Sequence, residues 1–238
     1  MTIKLKIIMI IAAALILSTE ANLFAIGSFS MGINAGATYD PNYLQNDINS
    51  YNKEIENQSG KQIDIPYAFA FGANFRYQFN YVLFRIGGYY TEPYYGTDGS
   101  CSTNKIHIST FQAAFPISVA FTLPIKERGN FFIGGGLSLY VASVKFTQSN
   151  PAAGPIPTAD MRDSYYGIFP GWHIIAGAEV PLLDRYSISV EWIHQEGRSA
   201  PLSNNGLDST GAPTSGPKRI INARGDFFLF GVNYYISI

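Results

Sequence analysis

Four ionised side chains stand where the sequence is otherwise short of charge. Arg76, Arg85, Glu179 and Glu191 lie in segments whose residues alternate between bulky apolar and small polar types. Each charge falls on the small, polar side of its alternation, and Gln112 and His173 fall there too. An isolated buried charge costs several kcal/mol, whereas a buried pair with good geometry offsets that cost. Two arginines and two glutamates on interior faces therefore predict a mutually paired cluster. Its chemistry is ionic: a plug that closes an interior, or a gate on a narrow ion path.

Two other constellations bear on proton chemistry. His107 and Ser109 are two residues apart, so an extended strand puts imidazole and hydroxyl on one face, where the first can activate the second. His194 and Glu196 also share a face. Both sets are read as polar residues near strand ends, and the chain is not expected to be an enzyme. Three scattered histidines and one cysteine, Cys101, do not make metal-ligand spacing, so neither a metal nor a cofactor is expected. Cys101 has no partner for an internal disulfide. Gly134-Gly135-Gly136 reads as close packing within a strand, not as a phosphate-binding loop. A formal net charge of −1 leaves no basic stripe for phosphates, so no nucleic-acid partner is expected.

The elements that hold these residues have a period of two. Phe29, Met31, Ile33, Ala35, Ala37 and Tyr39 alternate with small polar residues. Tyr67, Phe69, Phe71, Ala73, Phe75, Tyr77 and Phe79 do the same. Each run is about 12 residues, and a membrane-spanning strand needs about 9 to 11. A third strand begins at Val82 after a tight turn at Asn80. Further strands are predicted over about 106–123, 131–146, 171–180 and 187–195, and from about 221 to the end. Pro116 cannot donate to a ladder, so a bulge or local break is expected there. The connections alternate: 40–66, 92–105, 147–164 and 196–219 are long, while those at Asn80, 124–130 and 183–186 are short. Leu44, Ile48, Tyr51 and Ile55 have helical spacing within the first long connection. The fourth is rich in Ser, Gly, Pro and Asn, a composition that predicts mobility.

Eight such strands with alternating loop lengths predict an all-β, eight-stranded antiparallel up-and-down transmembrane barrel, with both termini in the periplasm. Charge decides which face meets lipid. Charged residues are 14% of the chain against about 25% in an ordinary soluble domain, and the bulky faces carry none through their middles. Those faces are assigned to lipid, with Tyr and Trp near strand ends as interfacial girdles. In such a barrel the second strand lies opposite the sixth and the third opposite the seventh, which places the Arg–Glu cluster across the lower half of the lumen. Arg224 and Asp226 share parity with lipid-facing Phe228. Either Gly225 hosts a bulge or both residues lie above the membrane.

The N-terminus has the layout of a signal peptide. Lys4 and Lys6 precede an apolar run over 7–17, and cleavage is expected after Ala21 or Ala25. This gives two regions: a signal peptide over 1–25 and a barrel domain over 26–238. Phe230, Val232, Tyr234, Ile236 and Ile238 set an apolar residue at every second position to the end. That pattern resembles the terminal recognition strand of bacterial outer-membrane proteins, although their usual final Phe or Trp is Ile238 here. With segments such as 115–121 and 134–140, the chain resembles the small outer-membrane barrel families, OmpA-transmembrane-domain-like or OmpW-like. The resemblance implies bacterial outer-membrane lipid and lipopolysaccharide as surroundings, and the barrel-assembly machinery as a partner during biogenesis. It also implies a closed or narrow lumen, with external loops that bind ligands or host surfaces at the cell surface. An OmpW-like narrow channel for small solutes is the alternative. His107-Ile108-Ser109 resembles the His-x-Ser of lipid A deacylases, a weaker alternative, but Thr110 stands where that family has Asn. A wide, general porin is not expected from eight strands.

Overall fold

The computed structural model describes residues 27–39, 52–53, 62–63, 67–93, 98–101, 104–125, 129–149, 162–206, 213 and 218–236. The expected signal peptide lies outside them. Of the expected helix in the first long connection, Asn52 and Lys53 are described and are helical, while Leu44, Ile48, Tyr51 and Ile55 lie outside the described residues.

Among the described residues, alternation produces nine strands: β1 (Ser28–Tyr39), β2 (Tyr67–Phe79), β3 (Val82–Pro93), β4 (Asp98–Cys101), β5 (Asn104–Ile125), β6 (Gly129–Ser149), β7 (Arg162–Leu183), β8 (Tyr186–Gly197) and β9 (Gly225–Ile236). Each barrel strand pairs antiparallel with its neighbours, and β3 pairs with β5 to close the sheet. Eight strands make the barrel. The ninth, β4, is a short addition that pairs, among the described residues, with the far end of β5 alone.

The register fixes the shape of the wall. Partners followed once around from Ile236 are Phe29, Tyr77, Phe84, Val119, Gly135, Ile174 and His194. The path returns to β9 at Asp226, ten residues from its start. A stagger of that size on eight strands corresponds to a tilt of roughly 40° and an interior that side chains can fill.

Two short turns match their sequences. Phe79 pairs with Val82 across Asn80-Tyr81, and Asn80 has φ 52°, a conformation Asn tolerates better than most residues. Leu183 pairs with Tyr186 across Asp184-Arg185. The irregularity expected at Pro116 falls on one side of its strand. Pairing of β5 with β6 runs unbroken through Pro116↔Ser138, but pairing with β3 skips from Ile86↔Ile117 to Tyr89↔Ala114. The proline therefore interrupts the β3–β5 seam opposite Gly87 and Gly88.

Bulky faces point outward. Ile33 is 69% exposed, Phe230 64% and Leu137 72%, while their chain neighbours Asn34, Leu229 and Ser138 are buried. At about 3.3 Å per residue and this tilt, the outward apolar run is about 20 Å deep from Tyr186 to His194 on β8, and about 30 Å from Leu123 to Phe111 on β5. The values bracket the ~25 Å apolar band of a membrane barrel. Tyr186 and Tyr234 pack in a tilted arrangement at the lower edge, with ring centroids 5.2 Å apart. No helix among the described residues is long and apolar enough to cross a membrane, a statement that does not bear on strands.

Three expectations need correction. β5, β6 and β7 run 21 or 22 residues, well past the predicted ends, so the wall rises beyond the apolar belt on that side. The inner face is not uniformly small and polar, because its upper part carries Tyr140, Phe169, Ile193, Phe227 and Leu229, all buried. The fourth long connection is tied down where it is described: Arg198 bridges Asn222, Leu202 bridges Arg219, and Asn205 N–H donates to Ser164 O at 2.8 Å.

Candidate functional site: the occupied lumen

The four sequence-predicted charges meet across the lower lumen. Arg76 on β2 and Arg85 on β3 are direct cross-strand partners. Like charges in that position repel, so the pair requires anions from the far wall. Glu191 on β8 supplies one carboxylate to both: Arg85 Nη2 donates to Oε2 at 2.8 Å, and Arg76 Nη2 donates to Oε1. Arg76 Nη1 donates to Glu179 Oε2 on β7 at 2.9 Å. All four side chains are at most 7% exposed. The network ties β2 and β3 to β7 and β8 through the barrel interior.

The surrounding polar residues add further bonds to these charges, although Arg85 Nε and Nη1 have no hydrogen-bond partner among the described residues. Arg76 Nε donates to Asn74 Oδ1 at 2.8 Å. Glu179 Oε1 accepts from Tyr235 at 2.7 Å, from Asn233 at 3.4 Å and from the Ser187 hydroxyl. Arg85 Nη2 also donates to the Tyr89 hydroxyl. Phe132 packs beneath Arg76, with its ring centroid 5.6 Å from the guanidinium carbon. His173 forms a separate group, bonded to Ser118 through Nε2 at 2.7 Å and to Ser138 through Nδ1 at 2.9 Å. Gln112 is buried on the same inner face, and its carbonyl accepts from Thr91 at 3.3 Å.

Above the ionic layer the interior is apolar. Tyr140 and Phe169 pack with ring centroids 5.7 Å apart, and Tyr140 covers Gly197, where a Cβ would lie 2.7 Å from its ring. Ile106, Ile108, Val144 and Tyr165 line the raised wall, and Ile221, Ala223 and Ile63 lie against them, all buried. Arg219 lies over Phe146 at 4.7 Å and over Tyr165 at 5.7 Å. Asn204 fastens the covering segment: its amide donates to Asp163 at 2.6 Å and its oxygen accepts from Ser164 N–H at 2.9 Å. Sequence reasoning missed this layer. Its signal was present, since 106, 108, 144, 165 and 169 are apolar residues on the parity assigned to the lumen.

The two histidine constellations are built differently from the expected pairs. His107 Nδ1 bonds Asp98 of β4 at 2.8 Å, and Ser109 is not its partner. His194 Nδ1 bonds Asp226 at 3.0 Å rather than Glu196, and Trp192 Nε1 donates to the same carboxylate at 3.1 Å. The register through Asp226 is regular, so no bulge changes its phase. It sits outward at the upper edge of the belt with its charge held by an indole and an imidazole. Among the described residues, no group of three or more His, Cys, Asp or Glu is placed to hold a metal.

No family profile and no curated protein matches the sequence. Solved structures do share its architecture. OprG of Pseudomonas aeruginosa superposes with a TM-score of 0.56 at 9% identity, covering 90% of this chain and 98% of that one. Neisserial surface protein A gives a TM-score of 0.46 at 10% identity, covering 87% and 96%. The closed eight-stranded wall is the fold shared with OprG, and its outward apolar belt is that of a membrane-spanning β-barrel.

Proposed function

We propose that this is a non-enzymatic, non-conducting barrel whose raised external wall and loops bind ligands at the cell surface, with both termini in the periplasm. The observation that carries the reading is the double engagement of Glu191 by Arg76 and Arg85 across the lower lumen. An eight-stranded barrel has an interior that side chains can fill or that holds at most one small ligand. Here an ionic layer and an apolar layer occupy it in series. Ions meet the apolar layer, and apolar solutes meet the ionic one.

A second reading is a narrow channel for small solutes, favoured by the apolar upper lumen. Planar-bilayer recording separates the two. The closed reading expects no stable conductance steps from the wild-type protein. It expects no solute flux into liposomes either. Steps that change in Arg76→Ala or Glu191→Ala would establish a gated channel instead.

A further inference from the structure

Above the apolar belt, the outward face of the raised wall changes character within a few residues. On β6 the outward residues are apolar as far as Val141, and then become Ser143, Lys145 and Thr147. Lys145 is the cross-strand partner of Ser109 on β5 and of Ser164 on β7. Their chain neighbours Ile108, Val144 and Tyr165 are buried at 2%, 0% and 0%, which sets the three residues on the outer surface. A cation flanked by two hydroxyls thus forms a row across three adjacent strands, with partners about 5 Å apart. Among the described residues no carboxylate pairs with Lys145, and the nearby Asp98 is engaged by His107.

The height of the row indicates its occupant. Lys145 lies four residues beyond Val141, about 10 Å further out at this tilt. That is the depth at which the hydrocarbon core gives way to headgroups. Directly below, Phe111, Val141 and Tyr166 present apolar surface. Apolar contact below and a cation with hydroxyl donors above match an amphiphile with an anionic head rather than a free anion. Resting on the orientation proposed above, the leaflet at this height is the outer one. We infer that Ser109, Lys145 and Ser164 form a contact site for the phosphorylated saccharide headgroup of an outer-leaflet glycolipid.

The test is titration of the refolded full-length protein in detergent with phosphorylated lipopolysaccharide, read by native mass spectrometry. Lys145→Glu should weaken binding at least fivefold, and the double variant Ser109→Ala/Ser164→Ala about twofold. Both should keep the folded gel mobility of the parent. Dephosphorylated lipopolysaccharide should bind the parent as weakly as the intact glycolipid binds Lys145→Glu. Unchanged affinity in Lys145→Glu, or indifference to the phosphates, overturns the site. Equal binding of phosphatidylglycerol overturns the glycolipid assignment while leaving the closed barrel intact. Conductance in the wild type would overturn the closed barrel and leave this site standing.

Discussion

Arg85 donates to Glu191 across the barrel interior at 2.8 Å, with side chains 1% and 0% exposed. The bond joins β3 to β8, strands on opposite sides of the wall. The same carboxylate neutralises Arg76, the cross-strand neighbour of Arg85. One glutamate thereby offsets the repulsion between two arginines that the register forces together.

Glu191→Ala should accordingly be among the most disruptive single changes in the lumen. It leaves two guanidinium groups buried, Arg85 with Tyr89 as its one remaining partner among those described. Removing one member of a buried ion pair costs about 3–5 kcal/mol. Urea unfolding in lipid vesicles, followed by tryptophan fluorescence, should show that loss. Glu191→Gln, which keeps the acceptor but not the charge, should lose less. A wild-type midpoint in the alanine variant would remove any structural weight from the cluster.

The wall gives a second test. Ile33 is 69% exposed, paired with Val232 and Ala73 in the middle of the belt. Ile33→Arg should destabilise the vesicle-embedded protein by about 2–4 kcal/mol, the cost of arginine at the bilayer midplane. His107→Arg, above the belt, should change stability by no more than about 0.5 kcal/mol. Equal effects at the two positions would argue that Ile33 does not face lipid.

Gly36 controls closure between the first and last strands. A Cβ there would meet the Phe228 carbonyl oxygen and lie 2.9 Å from Leu229 Cα, both backbone atoms of β9. Gly36→Ala should lose most of the fast-migrating folded form on an unheated gel. Gly88→Ala is the contrast, because its Cβ finds nothing nearer than the Phe115 ring at 3.7 Å. The second variant should refold like the parent, and a reversal of the two outcomes would contradict the seam geometry.

Asn204 tests the external cover. Asn204→Ala deletes its bonds to Asp163 and Ser164, and to Gly206 N–H at 2.8 Å. Proteinase K applied to intact cells should then cut within 197–206 several times faster than in the parent. Protection of this segment in both proteins until the outer membrane is breached would place it on the periplasmic side.

Much of the barrel was legible because lipid imposes a strict rule on each strand. Phe69, Phe71 and Phe75 cannot share a face with a charge, so β2 and its phase follow from alternation alone. The inward placement of Arg76, Arg85, Glu179 and Glu191 was readable for the same reason, although their contacts required the register. The raised wall was less legible. Past Ser143 the outer face meets polar surroundings and the inner face turns apolar, so the contrast that marks a strand inverts at Val144 and Tyr165. Pro170 also interrupts the local pattern while remaining inside β7. The partners of His107 and His194 lie 9 and 32 residues away in sequence, beyond what local spacing reveals.

The most direct measurement is gel mobility of the protein in isolated outer membranes, with and without heating. A closed barrel with a lipid-facing belt should fractionate with the outer membrane, resist extraction at high salt, and run faster unheated than heated. Recovery as a soluble periplasmic protein with one heat-independent mobility would contradict it.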